Sequence, residues 1–263
     1  MSRDLYLVDA FTGTPFRGNP AAVCIMDGPA DPAWMQQVAR EMNHSETAFL
    51  YPGEGFWNLR WFTPSMEVEL CGHATLAAAS ILWTTGLEKP DSEIAFDTRS
   101  GTLTARKEGD WINLDFPVDP VTGAAELPGL DRALGATPVF VGHTRFDILA
   151  ELQSATDVCG LEPDFAALAH VPTRGIMVTA VSDTPDFDFV SRFFAPAAGV
   201  AEDPVTGAAH CCLGPYWGKR LEKTELTGFQ CSARGGIVRM ALAGDRVLLS
   251  GHTVHVASGC LLV

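Results

Sequence analysis

Three ionisable side chains are candidates for chemistry because each lies where one predicted element gives way to the next. Glu46 separates a predicted helix from the apolar run at 47–51. Partial burial at the mouth of a strand raises the pKa of a carboxyl group toward neutrality, as a general acid or base requires. A solvated carboxylate, or one paired with an arginine, is the alternative interpretation of Glu46.

The other two candidates come just before alanine-rich stretches that predict helices. His73 follows Cys71 and Gly72, and at a helix start its side chain could bind an anion or move a proton. Asp203 lies in the segment Glu-Asp-Pro-Val-Thr-Gly at 202–207. Each has a structural alternative, namely a buried, hydrogen-bonded histidine and an aspartate that caps a helix.

An internal repeat connects these candidates. Arg-Trp-Phe-Thr-Pro begins at Arg60 and Arg-Phe-Phe-Ala-Pro at Arg192, an offset of 132 positions, and a gapless alignment places Cys71 opposite Asp203. Both copies lead into the start of a predicted helix, where free N–H groups and the helix dipole favour an anion. Two such helix starts facing one cleft would hold a carboxylate substrate between two reactive side chains.

The surrounding sequence predicts strands that outnumber helices and one long alanine-rich helix in each half. Asp31 before Pro32 is an expected helix start, and Asn43 an expected left-handed helix end. The alanine-rich helices are predicted at 74–83 and 206–219. The predicted strands are a hairpin within 5–26, then 46–51, 59–62, 93–96, 101–107, 111–116, 176–181, 187–194, 236–241, 246–249 and 254–257.

Composition excludes several classes of function. The 263 residues contain 18 Lys and Arg against 32 Asp and Glu, a net charge of −14, which disfavours nucleic acids and anionic membrane surfaces as partners. Asp9 interrupts any signal-peptide core, so we expect a cytoplasmic protein. Seven cysteines without a Cys-x-x-Cys pair indicate neither a disulfide framework nor a metal site, and no nucleotide motif is present, so we expect no metal and no cofactor.

Several motifs make the chain resemble the phenazine-biosynthesis PhzF-like family, which has the diaminopimelate-epimerase-like fold. They occur in family order along nearly the whole chain, at 9–12, 17–23, 43–49, 60–64, 71–75, 202–207 and 209–211. The resemblance implies an α+β fold of two similar domains related by a pseudo-two-fold repeat. Each is a curved, mostly antiparallel, barrel-like sheet around a central helix. We expect one domain at 1–117, joined by the last strand at about 254–263, and the other at 118–253.

The resemblance also assigns site residues. The family's catalytic acid/base falls on Glu46, and its substrate-site histidine and aspartate fall on His73 and Asp203. Further substrate-binding positions are Asn19, Ser45, Gly72, Gly207 and Ala208. The family often has serine where Ala208 stands, so one hydroxyl is missing from this chain.

Three functions are compatible with these residues. The first is a cofactor-independent isomerase that moves a proton on a small carboxylate, an amino or hydroxy acid, in a site between the domains of a homodimer-forming protein. The second is an amino-acid racemase or epimerase that uses Cys71 with Asp203 or Glu46; a two-cysteine pair is disfavoured because Asp203 takes the second place. The third is a non-catalytic binding or interaction protein with the same fold.

Overall fold

The structure, a computed structural model, describes residues 3–90 and 92–263, so Met1 and Ser2 of the expected N-terminal domain lie outside the described residues. The described residues up to Pro117 form eight strands and two helices. They are β1 Arg3–Ala10, β2 Asn19–Ile25, α1 Pro32–Met42, β3 Glu46–Pro52, β4 Trp57–Phe62, β5 Glu67–Val68, α2 Gly72–Thr84, β6 Ile94–Thr98, β7 Gly101–Glu108 and β8 Trp111–Pro117.

The rest of the chain adds strands, helices and one short 3-10 turn. They are β9 Gly123–Ala124, α3 Leu130–Leu134, β10 Phe140–His143, β11 Ile148–Glu151, α4 Ala155–Cys159, α5 Phe165–Leu168, β12 Ile176–Val181, β13 Phe189–Ala195, the 3-10 turn Pro196–Ala198, β14 Val200–Asp203, α6 Gly207–Leu221, β15 Glu225–Gln230, β16 Gly236–Ala243, β17 Arg246–Gly251 and β18 Thr253–Leu261. The α+β class expected from the sequence is confirmed. None of the helices in the described ranges is both long and apolar enough to cross a membrane.

Helix α1 begins and ends where the sequence predicts. The Asp31 side chain accepts a hydrogen bond from the Ala33 N–H at 3.0 Å, and proline occupies the first turn. Asn43 ends the helix in the left-handed conformation at φ 52°. Met35, Val38 and Ala39 form the buried face, which packs on β3 and β4. This reversal brings the chain back so that Glu46 becomes the first residue of β3.

Helix α2 is surrounded by strands. Residues 72–83 are all buried, and the helix packs against β1, β2, β3 and β18. Alanine at 74 and 77–79 permits this because short side chains let strands approach a helix closely on every side. The strands therefore fix α2 and the position of His73 in its first turn.

The chain divides into two compact units, Met1–Phe116 with Ser250–Val263 and Pro117–Leu249. In the first unit, β18 pairs antiparallel with β1. Successive pairs β1–β2, β2–β3, β3–β4, β4–β6 and β6–β7 are antiparallel, parallel, antiparallel, parallel and antiparallel. In the second unit, β10–β11, β11–β12, β12–β13, β13–β15 and β15–β16 repeat that order.

The repeat extends to side chains. Arg60 makes a forked ion pair with Glu67, at 2.7 and 2.8 Å, and Arg192 makes the same fork with Glu202, at 2.7 and 2.9 Å. Each arginine also lies over a phenylalanine two residues later, at 5.2 Å from Phe62 and 4.9 Å from Phe194. The shared Arg-x-Phe frame is therefore a structural repeat.

The gapless alignment beyond this frame is wrong. Trp61 pairs with Val68, whereas Phe193 pairs with Asp203 across a longer hairpin. A 3-10 turn and a β-bulge lengthen the second hairpin, which adds three residues before α6. Asp203 therefore corresponds to Val68, and Cys71, the residue before α2, corresponds to Thr206.

The sequence predicts no helix or strand at 124–175. This segment forms α3, β10, β11, α4 and α5, which are short and carry weak periodic signals. Their apolar side chains build a core with β12 and β13 that includes Leu134, Ile148, Val158, Leu168, Val178 and Phe194. Cys159 and Cys231 form a disulfide with Cα atoms 5.6 Å apart, a pairing that the sequence gave no local spacing to predict.

Candidate active site

The site in the first unit is built on Glu46. Its carboxylate stands at the start of β3, which pairs in parallel with β2 through Ala21. The side chain is 19 % exposed, and its Oε2 lies 3.4 Å from His73 Nε2. The carboxylate is thus open to solvent on one side and faces an imidazole on the other.

His73 is buried, and two residues contact its Nδ1 atom. The Asn19 side-chain N–H donates to His73 Nδ1 at 3.1 Å, and Cys71 Sγ lies 3.5 Å from the same nitrogen. Because Nδ1 accepts a hydrogen bond, the proton of the neutral ring is on Nε2, the atom that faces Glu46. Burial lowers the pKa of His73 to about 3. His73 is therefore a neutral imidazole whose Nε2–H makes no hydrogen bond, and it does not supply the positive charge that anion binding by a histidine would use.

Asn19, which the resemblance implies is a substrate-binding residue, contacts His73. Its side chain is fully buried and bonds to His73, so we assign it the positioning of the imidazole. It begins β2, and no pattern around it in the sequence indicated a contact with a residue of α2. Ser45 is half-buried beside Glu46, and Gly72 is buried at the first position of α2.

One side-chain atom each from Glu46, Cys71 and His73 lies within 4.8 Å of the other two. Sequence spacing did not reveal this cluster because Glu46 and Cys71 lie in separate segments that only the folded sheet brings together. The cluster combines a carboxylate, a thiol and an imidazole in a mostly buried place.

Helices α2 and α6 begin alike. Cys71 at φ −147° and Thr206 at φ −109° are extended residues whose side chains make no capping hydrogen bond. One turn later, Thr75 Oγ1 donates to the Cys71 carbonyl at 2.6 Å, and His210 Nδ1 donates to the Thr206 carbonyl at 2.8 Å. Neither N-cap side chain accepts a hydrogen bond from the first-turn N–H groups. The expected binding of a substrate carboxylate at these helix starts requires this.

In the second unit, Asp203 belongs to a hydrogen-bonded group with Thr206 and Gln230. The Thr206 hydroxyl donates to Asp203 Oδ2 at 2.6 Å. The buried Gln230 amide connects the same two residues: its Oε1 accepts from the Thr206 N–H at 2.9 Å, and its Nε2 donates to the Asp203 carbonyl at 2.7 Å. The helix cap is Thr206, so Asp203 does not serve as the N-cap. Gly207 is buried and Ala208 half-buried beside this group.

Gln230 and Thr206 are the members of this group that sequence reasoning missed. A lone glutamine at the end of a strand carries no motif. Thr206 was visible in the segment 202–207, and the signal that would have identified it is its equivalence to Cys71 once the longer hairpin is allowed for.

Three other buried free cysteines do not offer a second thiolate. Burial raises the pKa of Cys24 and of Cys211 to about 12, and it raises the pKa of Cys212 further. Cys211 and Cys212 are core residues of α6, as expected from their adjacency. Since Thr206 stands where a second N-cap cysteine would be, this chain has one thiol where a symmetric cysteine pair needs two.

A separate cavity of about 500 Å³ in the first unit does not include Glu46 or His73. On its wall, the Ser80 hydroxyl is bonded to Thr253 Oγ1 at 2.7 Å and to His255 Nε2 at 2.8 Å. Because these bonds satisfy the buried Ser80 hydroxyl, we interpret the cluster as a polar connection between α2 and β18.

Comparison with known proteins agrees with the resemblance seen in the sequence. The chain matches the family model PhzC-PhzF, described as phenazine biosynthesis-like protein, over residues 8–259. It is 50% identical over 264 residues to an uncharacterized isomerase of Halalkalibacterium halodurans, covering 100% of both chains. The crystal structure of a PhzF-family phenazine biosynthesis protein from Enterococcus faecalis superposes with a TM-score of 0.94 at 39% identity, covering 100% of both chains.

A more distant likeness concerns the fold alone. A probable proline racemase from Agrobacterium radiobacter superposes with a TM-score of 0.67 at 11% identity, over 98% of this chain and 92% of that one. The epimerase-like fold expected from the sequence is confirmed by this range of neighbours. The matched model and the full-length relatives together show that the chain belongs to the phenazine biosynthesis-like PhzC-PhzF family, whose members include proteins named as isomerases.

Proposed function

We propose that this isomerase works without a cofactor and that Glu46 moves a proton between two carbon atoms of a small carboxylate. The observation that carries the proposal is the pairing of a partly exposed carboxylate with a buried, neutral imidazole 3.4 Å away. A substrate can reach the solvent side of Glu46 while His73 holds the other side. A proton taken by the carboxylate from one carbon can then be returned to another.

The neutral state of His73 matters for this chemistry. A protonated imidazole would form a strong ion pair with Glu46 and stabilise its ionised form, which weakens it as a base. The neutral Nε2–H instead faces the carboxylate at 3.4 Å without a hydrogen bond between them, and Asn19 keeps the ring in that tautomer. His73 and Asn19 are therefore positioning residues, and Glu46 is the group that touches the reacting atoms.

The substrate carboxylate is proposed to bind the first-turn N–H groups of α2, beside Gly72. These groups have no N-cap side chain to accept their hydrogen bonds, and the helix dipole favours negative charge there. In a chain of net charge −14, an acidic substrate needs such local donors. The same carboxylate would hold the reacting carbon at a fixed position relative to Glu46.

Asp203 is proposed to orient a polar group of the substrate. Its Oδ2 already accepts a hydrogen bond from the Thr206 hydroxyl, and Gln230 holds the Asp203 carbonyl and the Thr206 N–H, so the carboxylate has a defined direction. Ala208 provides only its backbone N–H where a hydroxyl often occurs, which favours a substrate with one fewer acceptor at that point.

A racemase that uses Cys71 is the second candidate, supported by the 3.5 Å approach of Cys71 Sγ to His73 Nδ1. It is less favoured because Thr206 occupies the equivalent position in the second unit. The two candidates differ in outcome: a racemase inverts one carbon, whereas the proposed isomerase moves a double bond as the proton changes carbon.

The test is proton exchange with solvent. The protein is incubated in deuterated water with a panel of cyclic and linear amino and hydroxy acids, and NMR records deuterium at each carbon. We expect incorporation with wild-type protein and with Glu41→Gln, an exposed control on α1, and none with Glu46→Gln. Incorporation by the Glu46→Gln variant at the wild-type rate would refute the proposal.

A further inference from the structure

We propose that Glu46, Cys71 and His73 form a binding site for a thiophilic divalent cation such as Zn²⁺, and that the bound cation blocks the isomerase. Only the blocking rests on the proposed function, because the binding itself depends on the geometry of the three side chains. The site is inhibitory, since the cation occupies the carboxylate that the reaction needs.

The three side chains are the three ligand types that zinc uses in proteins: a carboxylate oxygen, an imidazole nitrogen and a cysteine sulfur. Their ligand atoms lie within 4.8 Å of one another. With metal–ligand distances of about 2.0–2.1 Å, nitrogen and oxygen ligands of a tetrahedral ion lie about 3.3 Å apart. The observed 3.4 Å between His73 Nε2 and Glu46 Oε2 matches this edge without movement.

Cys71 completes the set by rotating. A tetrahedral nitrogen–sulfur edge is about 3.6 Å for a Zn–S bond of about 2.3 Å, whereas the thiol now lies 3.5 Å from Nδ1, so it has to turn toward the Nε2 side of the ring. Cys71 is an extended N-cap residue whose side chain makes no capping bond, and its Sγ already contacts the His73 ring. Rotation about its Cα–Cβ bond therefore breaks no helix-capping interaction.

The protons are accounted for as follows. Cys71 releases its thiol proton to solvent, and the sulfur lone pair binds the cation. The His73 proton moves from Nε2 to Nδ1, which frees the Nε2 lone pair. Rotation of the Asn19 amide then presents Oδ1 instead of the N–H to Nδ1. The ion has two anionic ligands and one neutral ligand, and water fills the fourth position.

The residues around the ligands suit an ion that arrives from solvent. Glu46 is the exposed member at 19 %, and Cys71 and His73 are buried behind it. The ion therefore meets a carboxylate first and a thiol and imidazole second, and the net charge of −14 raises the local concentration of cations. A substrate that uses the same face of Glu46 competes with the ion.

Co²⁺ is the probe, because a cobalt–thiolate bond produces a charge-transfer absorption in the near ultraviolet that oxygen and nitrogen ligands do not. We expect this band to saturate at one equivalent in the wild type. It should be absent from Cys71→Ala and from Cys71→Ser, which preserves the packing. Glu46→Gln should weaken Co²⁺ binding at least ~10-fold. The matched control is Cys260→Ser, which removes an exposed thiol and should leave the band unchanged.

The outcomes separate the two claims. A band that persists in both Cys71 variants, or that disappears in Cys260→Ser, overturns the site. Once exchange has been detected, Zn²⁺ should slow it competitively with substrate. If the band behaves as expected while Zn²⁺ leaves exchange unaffected, the cation site stands and the blocking is refuted; the role of Glu46 is decided separately by exchange in Glu46→Gln. Circular dichroism of each variant establishes that the fold is retained.

Discussion

Gln230 joins two backbone groups beside Asp203, so replacing it with methionine tests how that group is held. Methionine has a similar length but no amide, and the change leaves the Thr206 N–H and the Asp203 carbonyl without the partners they have at 2.9 and 2.7 Å. Gln230 is fully buried, so water does not replace the lost bonds without rearrangement.

The size of the effect follows from those two groups. A buried backbone donor or acceptor that loses its partner costs about 1–3 kcal/mol, so two such groups cost about 2–6 kcal/mol of unfolding free energy. For a chain of this size each kcal/mol lowers the melting temperature by about 2–4 °C, which predicts a decrease of at least about 4 °C.

The assay is thermal unfolding followed by circular dichroism, with Gln37→Met as the control because Gln37 is exposed on α1. Turnover of any substrate identified by deuterium exchange should also decrease, since Asp203 loses one of the contacts that fix its backbone. A Gln230→Met protein that melts within 1 °C of the wild type, or no lower than the control, would refute the reasoning.

Three further predictions concern the first unit and the buried histidines. Glu46→Gln should lower turnover at least ~10²-fold with a much smaller change in substrate affinity, whereas Cys71→Ala should lower turnover only slightly. Steady-state kinetics measure both variants. An inactive Cys71→Ala beside an active Glu46→Gln would favour the racemase. Turnover should survive dialysis against a chelator, and restoration by a divalent ion of activity lost to chelator would contradict this. Burial lowers the pKa of His73 to about 3 and of His210 to about 4, so NMR should show neither imidazole titrating between pH 5.5 and 8. Because the unfolded chain binds these protons from about pH 6.5 downward and the folded protein does not, these histidines should reduce stability as pH falls from about 6.5 toward 4, by ~1.4 kcal/mol per pH unit each.

Local signals predicted much of the fold. The Asp31 cap, Pro32 and Asn43 act through contacts within a few residues, so α1 could be placed from sequence. The alanine-rich helices and the Arg-x-Phe frame were equally visible. The segment 124–175 could not be placed, because its short elements owe their form to packing against β12 and β13.

The site residues divide in the same way. Glu46, His73 and Asp203 lie at element boundaries that a sequence displays, and family motifs surround them. The contact of Asn19 with His73, and that of Gln230 with Thr206, join residues far apart in the chain. Which nitrogen of His73 carries its proton depends on the first of these contacts, so the neutral character of the ring needed the structure.

The three additional residues in the second hairpin have a consequence for stereochemistry. A racemase has to convert a molecule and its mirror image equally well. It does so most simply with the same kind of reactive group on each side of the reacting carbon. In this chain the duplicated helix starts have diverged, with a thiol at Cys71 and an alcohol at Thr206, while Asp203 has moved into the position of an apolar residue, Val68. The two halves thus present different reactive groups at equivalent positions, which under the proposed function favours a reaction whose substrate and product are not enantiomers.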